Sequence, residues 1–205
     1  MPRKLLPTMA LLLFSTSLPA LADATDDLLQ HLNGLVSLTG EFSQQQYPEG
    51  STQPISSEGQ FKLLRPDYFS WEITAPDSQL IIATPEYIWQ HDRDLETVTR
   101  RPVAGSEKSS PLQVLAGEEA ALRAGYTVEQ AGPGRFRLTP TASGADFRQL
   151  EVEFAGNTLT GMEILDNLGQ RVDVEFSHLV RDAPLGKSDF DFTPPKGADL
   201  FYYDE

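Results

Sequence analysis

The side chains that most often carry out catalysis are scattered along this sequence. Its three histidines, His31, His91 and His178, are isolated and lack the spacing of metal ligands. It contains neither a Gly-x-Ser-x-Gly nucleophile elbow nor a phosphate-binding glycine loop. Its carboxylates fall mostly in turns or on predicted outward-facing strand positions. The sequence therefore predicts no catalytic residue, no metal site, no cofactor and no enzymatic activity.

The chemistry that the sequence favours is binding through apolar surface. Large apolar side chains are concentrated in the first half of the chain, at Phe42, Phe61, Leu63, Phe69, Trp71, Ile73, Leu80, Ile82 and Trp89. Aromatic residues on one face of strands most often form an ordinary core. A binding cavity is the alternative, and these residues are the candidates for lining it.

Residues 61–73 contain two extended runs joined by a corner. Pro66 fixes its own φ and pushes Arg65 out of the helical region, so the chain turns here. After the corner, alternate residues such as Phe69 and Trp71 point to one side of the strand. The hairpin thus has an apolar face and a long cation at its tip. We expect the chain to curl this face into a cavity with Arg65 at the mouth, although a solvated arginine at a turn is the simpler alternative.

Two helical segments are predicted to cover this surface. Thr25, as a capping residue followed by two acids, predicts a helix with leucines at helical spacing. A pair of short helices is predicted in mid-chain, from the Ser110-Pro111 cap to about Gly125. Helices this short are not stable alone. The open side of a curled sheet would give them a surface to pack on.

Alternating segments separated by turn residues predict about eleven strands in one antiparallel, meandering sheet. A sheet of this size twists and curls. The predicted fold class is therefore mainly β (α+β). A closed barrel and an unclosed barrel plugged by the helices are both compatible with the pattern.

Residues 1–22 have the features of a cleaved signal peptide. Arg3 and Lys4 precede an apolar run, and Ala20-Leu21-Ala22 has the form of a signal-peptidase site. Cleavage after Ala22 would leave residues 23–205 as a single domain of 183 residues (205 minus 22). The absence of cysteine excludes disulfides and also excludes a lipid attached to an N-terminal cysteine.

The net charge bears on the kind of partner. It is −14 for the whole chain and becomes −16 when Arg3 and Lys4 are removed. This charge argues against binding to nucleic acid and against stable insertion into an anionic membrane. It is compatible with plain solubility or with a partner that presents a basic patch.

The run Leu63-Leu64-Arg65-Pro66-Asp67-Tyr68-Phe69-Ser70-Trp71 resembles the Arg-Pro-x-x-Phe-x-Trp signature of the periplasmic outer-membrane lipoprotein carrier proteins, the LolA family. Residues 42–44, 76–81, 136–140 and 190–197 resemble other landmarks of the family in the same order. The resemblance implies an unclosed, strongly curved antiparallel barrel with short α-helices as a lid. It also implies a monomer that carries acylated lipoproteins across the periplasm, from an inner-membrane ABC transporter to an outer-membrane receptor.

The resemblance further implies two sets of site residues. The arginine of the motif, here Arg65, would hydrogen-bond lid carbonyls and hold the empty cavity shut. By register, the lid residues concerned are Leu32, Leu112, Leu115 and Ala116. The acyl cavity would be lined by Phe42, Leu63, Phe69, Trp71, Ile73, Ile82 and Trp89.

This sequence departs from the family pattern at His91 and Arg93, and Gln113 lies among the apolar lid residues. Two other functions remain open. A sensor module with the same half-barrel would bind lipid or misfolded protein to control a signalling partner. A secreted hydrolase would need carboxylates that meet only in the fold.

Overall fold

Most of the residues that the computed structural model describes belong to one sheet of twelve strands. The described residues are 23–103, 114–115, 119–142, 145 and 147–203, so residues 1–22, the predicted signal peptide, lie outside them. In chain order the strands are β1 (Ser37–Tyr47), β2 (Ile55–Leu64), β3 (Tyr68–Ala75), β4 (Gln79–Ala83), β5 (Tyr87–Asp92), β6 (Thr97–Pro102), β7 (Tyr126–Gly132), β8 (Arg135–Pro140), β9 (Phe147–Ala155), β10 (Thr158–Asp166), β11 (Arg171–Arg181) and β12 (Asp199–Tyr202).

The strands are ordered β12-β6-β5-β4-β3-β2-β1-β11-β10-β9-β8-β7. The first six run outward from β1 as a meander, and the second block returns so that β11 pairs with the other edge of β1. All neighbours are antiparallel except β12, which runs parallel to β6. Among the described residues no pairing joins β12 to β7, so the sheet is unclosed. This confirms the predicted fold class, with one strand more than expected.

Among the described residues two helices accompany the sheet, α1 (Ala24–Leu32) and α2 (Glu119–Gly125), and Val114 and Leu115, which lie between them in the chain, are also helical. The N-cap of α1 is Asp23, whose carboxylate accepts a hydrogen bond from the Thr25 N–H at 3.1 Å. The prediction that Thr25 caps this helix is therefore wrong, because the helix already begins at the residue before it. The acids that follow Thr25 lie in the first turn, where the helix dipole favours negative charge.

One face of the sheet carries the hydrophobic core, and we call it the inner face. In the β2–β3 pair, Leu63 lies directly opposite Phe69 and Phe61 lies opposite Trp71, so these four side chains share that face. The helical segments contribute buried leucines to the same core: Leu28, Leu32, Leu115 and Leu122. The helices therefore cover the inner face, as the sequence predicted.

The opposite, outer face of β3–β6 is covered by the C-terminal segment. A 3₁₀-helix, Lys187–Phe190, buries Phe190 beside the ring of Tyr68, with 5.6 Å between ring centroids. β12 then follows the prolines and pairs with β6. The sequence pattern predicts that regular structure stops at Pro194 and Pro195. The chain instead resumes an extended conformation after them, where β6 offers an unpaired edge.

Candidate functional site

Arg65 lies at the corner between β2 and β3, where its side chain reaches across to the helices. Its backbone N–H donates to the carbonyl oxygen of Val36 at 2.9 Å, which fixes the corner against the start of β1. Its guanidinium Nε donates to the Leu115 carbonyl oxygen at 3.0 Å, and Nη1 donates to the Leu32 carbonyl oxygen at 3.2 Å. One half-buried arginine therefore joins two separate helical segments to the sheet.

The Leu32 carbonyl group that Arg65 contacts lies at the end of a helix. Leu32 is the last residue of α1, and the final carbonyls of a helix have no partner within the helix. These carbonyls also carry the negative end of the helix dipole, which favours a cation. Burial lowers the pKa of Arg65, yet an arginine side chain stays protonated in proteins. The contact is thus a charge-assisted clamp on the helix end.

A second contact joins the helices at the surface. Arg123 of α2 forms ion pairs with Asp26 of α1 at 2.5 Å and with Glu119 of its own helix at 2.9 Å. The hydrogen bonds to Asp26 and Glu119 raise the pKa of Arg123. All three side chains are largely exposed, so these pairs orient the helices more than they stabilise them.

Five of the predicted cavity residues lie together on the inner face. Phe42, Leu63, Phe69 and Trp71 are buried, and Ile73 packs against them while remaining partly exposed. The rings of Phe42 and Trp71 are stacked, with centroids 3.6 Å apart. These side chains and the buried leucines of the helical segments belong to one hydrophobic cluster, so the aromatic surface is covered in this structure.

The expectation that Ile82 and Trp89 line the same cavity is wrong. Ile82 pairs with Ser70 of β3 and with Trp89 of β5, so both side chains point to the outer face, away from Trp71. Trp89 there packs against Phe192, with ring centroids 5.3 Å apart. In β4 and β5 the inner positions belong instead to Ile81, Ala83 and Ile88.

The residues that depart from the family pattern also belong to the outer side. His91 is buried near the ring of Phe192, with centroids 5.8 Å apart, and burial, followed by the charge of Arg93, lowers its pKa. Arg93 pairs with Glu72 at 2.7 Å and donates to the Ser78 hydroxyl. Burial acts to raise the pKa of Glu72, but hydrogen bonds from Gln60 and Arg93 lower it overall. Leu112, Gln113 and Ala116 lie outside the described residues.

A cavity of about 260 Å³ remains between α1 and the ends of β9–β11. Its wall is mostly apolar, but polar side chains of His31, Asn157, Thr158 and Arg181 also line it. Sequence reasoning missed these four residues. His31 could have been found, because it follows Leu28 by three residues and so lies on the buried side of α1.

The carboxylates of the described residues were the other candidates for chemistry. Within the described residues no group of histidine and acidic side chains could hold a metal ion. Glu151, Glu163 and Asp173 lie side by side across three strands, on the outer face and away from the cavity. In the same part of the chain, no helix combines the length and apolar composition needed to cross a bilayer.

Comparison with known proteins shows matches over most of the chain. Residues 33–193 match the family described as Outer membrane lipoprotein carrier protein LolA. The outer-membrane lipoprotein carrier protein of Dechloromonas aromatica (strain RCB) is 35% identical over 183 residues, which cover 87% of this chain and 88% of that protein. That of Cupriavidus necator (strain ATCC 17699) is 35% identical over 199 residues and covers 93% of each chain.

A solved structure agrees at the level of the fold. The crystal structure of an uncharacterized conserved protein from Thermus thermophilus aligns with a TM-score of 0.54, covering 88% of this chain and 99% of that one. The two sequences are 12% identical, so this likeness concerns the fold alone. Taken with the family match and the relatives at 35% identity, the open sheet and its clamped helices have a clear assignment: the chain belongs to the LolA family of outer membrane lipoprotein carrier proteins.

Proposed function

We propose that this protein is a non-enzymatic periplasmic carrier that binds the acyl chains of lipoproteins on the inner face of its sheet. The observation that carries the proposal is the position of Arg65, which holds two helical segments over an apolar, aromatic surface. The names of the relatives, outer-membrane lipoprotein carrier proteins, support the same function.

The energetics of an acyl chain explain what such a carrier must do. Each methylene group exposed to water costs about 0.8 kcal/mol, so lipid chains do not cross an aqueous compartment unaided. The inner face supplies apolar surface once the helices move, with Phe42, Phe69 and Trp71 at its centre. A broad apolar surface without a specific polar partner binds acyl chains of different length and releases them to a site of higher affinity.

The Arg65 contacts have a strength suited to reversible closure. Hydrogen bonds to a charged group contribute about 1.5–3 kcal/mol each, so the two to Leu32 and Leu115 hold the helices by roughly 3–6 kcal/mol before entropy is subtracted. Burial of a few methylene groups releases a comparable free energy. Cargo is therefore able to open the site, and loss of cargo lets it close again.

The partners follow from this function. The cargo is an acylated lipoprotein, the donor an inner-membrane ABC transporter and the acceptor an outer-membrane receptor. The charge of −14 for the whole chain favours basic docking surfaces on donor and acceptor, and it opposes stable insertion into an anionic bilayer. The carrier acts as a monomer.

A release assay tests the proposal. The chain from Asp23 is added to spheroplasts, and the soluble fraction is probed for a lipoprotein in one-to-one complex with it. Arg65→Leu is expected to accept cargo but to fail in passing it to outer membranes, because the helices no longer close behind it. Arg148→Leu, which removes an exposed arginine on β9, is the matched control and should behave as the wild type. If the wild-type protein releases no acylated protein, the carrier function is refuted.

A further inference from the structure

A chemically labile pair of residues, Asn33-Gly34, joins α1 to β1. The sequence contains three asparagines, Asn33, Asn157 and Asn167, and among them Asn33 alone is followed by glycine. Asparagine is a thermolabile residue, because the backbone nitrogen that follows it is able to attack the carbon of its side-chain amide. Glycine after asparagine hinders this attack least, since it has no Cβ atom.

The labile pair occupies the centre of a tight turn. Asn33 has φ −64° and ψ 138°, and Gly34 has φ +70°, which are the angles of a type II turn. The turn is closed by the Leu35 N–H, which donates to the Leu32 carbonyl oxygen at 3.3 Å. Because the positive φ favours glycine at the second central position, the fold itself places a glycine after Asn33.

Both reacting groups are accessible to water. Asn33 and Gly34 are exposed, and no atom lies within 4 Å of the point where a Cβ atom of Gly34 would be. Among the described residues, neither the side-chain amide of Asn33 nor the N–H of Gly34 has a hydrogen-bond partner. The bond that closes the turn is longer than most N–H···O bonds. It therefore opposes only weakly the backbone rotation that brings the nitrogen to the amide carbon.

We propose that Asn33 is a site of spontaneous deamidation, and that the products loosen the end of α1 that Arg65 holds. The Gly34 nitrogen forms a bond to Cγ of Asn33, the C–N bond of the side-chain amide breaks, and ammonia leaves with the proton of the Gly34 N–H. Water then opens the resulting succinimide ring at either of its carbonyl groups. One opening gives aspartate and the other gives isoaspartate, whose main chain runs through the former side chain.

The new carboxylate lies beside the contact that joins α1 to the sheet. The Leu32 carbonyl, next to Asn33 in the chain, accepts from Nη1 of Arg65 at 3.2 Å. Asn33 and Arg65 also line the same open pocket, of about 400 Å³. A carboxylate is a stronger acceptor for a guanidinium than a carbonyl group is, so it competes with Leu32 for Arg65. A negative charge at the C-terminal end of a helix is also opposed by the helix dipole.

The charges around this pocket make the change larger. Its described lining residues carry two positive charges, on Arg65 and Arg123, and two negative charges, on Asp26 and Glu119. A third carboxylate leaves an excess of negative charge next to the helix end. Isoaspartate has a further effect, because it adds a methylene group to the main chain and the type II turn no longer closes in the same way.

The chemical part of the proposal is tested by ageing the protein. The chain from Asp23 is incubated in warm, mildly alkaline buffer, and conversion at each asparagine is followed by peptide mapping with mass spectrometry. Asn157 and Asn167 are internal controls, because both are exposed but are followed by threonine and leucine. We expect Asn33 to convert at least tenfold faster than either control and to give both aspartate and isoaspartate. Equal rates at the three positions, or aspartate as the sole product, would overturn the assignment.

Asn33→Gln is the variant that tests the ring closure. It keeps an exposed amide at this position but moves the carbon to be attacked one bond further away, so the ring that forms is larger and forms more slowly. The conversion at position 33 should fall at least tenfold in this variant. Conversion at the rate of Asn33 would mean that the amide is hydrolysed directly by water, and the proposed attack by Gly34 would then be wrong.

The effect on the helix end needs a structural readout. Asn33→Asp supplies one product directly, and Asn33→Gln is its uncharged control. Amide exchange in the last turn of α1 and at Leu35 should be at least threefold faster in Asn33→Asp than in Asn33→Gln, and exchange at Val152 of β9 should be equal. The isoaspartate form, purified from the aged protein, should show the same increase or a larger one. Unchanged or slower exchange in both products would overturn the effect on the Arg65 contact.

This inference does not depend on the proposed carrier function. Deamidation at Asn33 is measured on the protein without cargo, so a failure of the release assay leaves it untouched. Conversely, a stable Asn33 would refute the deamidation site and leave the carrier function as it stands.

Discussion

Glu163 occupies a position on the outer face where like charges meet. On β10 it lies directly opposite Glu151 of β9 and directly opposite Asp173 of β11. Burial and repulsion by Asp173 and Glu151 raise the pKa of Glu163, and the cations Arg171 and Arg135 offset this only in part. Glu163→Gln removes the charge and keeps the size of the side chain.

The expected effect follows from the two cross-strand pairs. Like charges directly opposite each other in a sheet destabilise by roughly 0.2–1 kcal/mol per pair. Removing two such pairs should raise the free energy of unfolding at pH 7 by roughly 0.4–2 kcal/mol. A carboxyl group whose pKa is raised in the native state binds protons more readily in the folded than in the unfolded protein. Its ionised form therefore destabilises the folded state at neutral pH, and this effect decreases as the pH falls through the native pKa. The gain in the free energy of unfolding that Glu163→Gln gives should decrease over the same pH range.

Urea unfolding of the chain from Asp23, followed by tryptophan fluorescence from pH 7 down to pH 4, measures this effect. Glu175→Gln is the matched control, because Glu175 of β11 lies opposite Ser43 and Gly161 and has no carboxylate across the strand. Both substitutions change the net charge equally. The reasoning is refuted if Glu163→Gln is no more stable than Glu175→Gln at pH 7, or if its advantage is the same at pH 4.

Four other substitutions test separate parts of the structure. Gly59→Ala should lower the free energy of unfolding by about 1–3 kcal/mol, because a Cβ atom would overlap the Glu72 carbonyl oxygen, and thermal denaturation measures this. Phe42→Ala should cost about 3–5 kcal/mol by urea unfolding, since it removes a buried ring stacked on Trp71. Arg65→Lys keeps the charge but loses the forked donors, so amide exchange in the last turn of α1 should accelerate and the free energy of unfolding in urea should fall by about 1.5–3 kcal/mol, the contribution of one charged hydrogen bond. Arg123→Ala should leave the thermal midpoint unchanged, because its ion pairs are exposed, and a clear drop would contradict that view.

The parts of the site that were predictable depend on local sequence. The corner at Arg65 and the shared face of Phe69 and Trp71 follow from one proline and from strict alternation over a few residues. The contacts of Arg65 with Leu32 and Leu115 were predicted from the family resemblance. The two leucines are separated from Arg65 by 33 and 50 positions in the sequence, and no local pattern predicts contacts over such separations.

The parts that were missed depend on register and on distant packing. Ile81 and Ile82 are both apolar, so alternation alone does not say which of them faces inward, and the pairing of Ile82 with Ser70 decides it. β12 was missed because it is short and follows two prolines, and its stability comes from the edge of β6. Arg181 reaches the cavity only because β11 pairs with β1, which local sequence does not reveal.

That same β1–β11 pairing shapes how the chain must fold. Leu38 pairs with Arg181, a separation of 143 positions (181 minus 38), so the middle of the sheet closes between segments from opposite ends of the chain. Contacts between residues this distant in sequence slow folding, because the chain loses the entropy of loop closure before the stabilising contacts form. Until the second block of strands is made, one edge of β1 stays unpaired and able to recruit another chain. A newly made molecule is therefore most prone to aggregate before residue 171, the first of β11, has emerged.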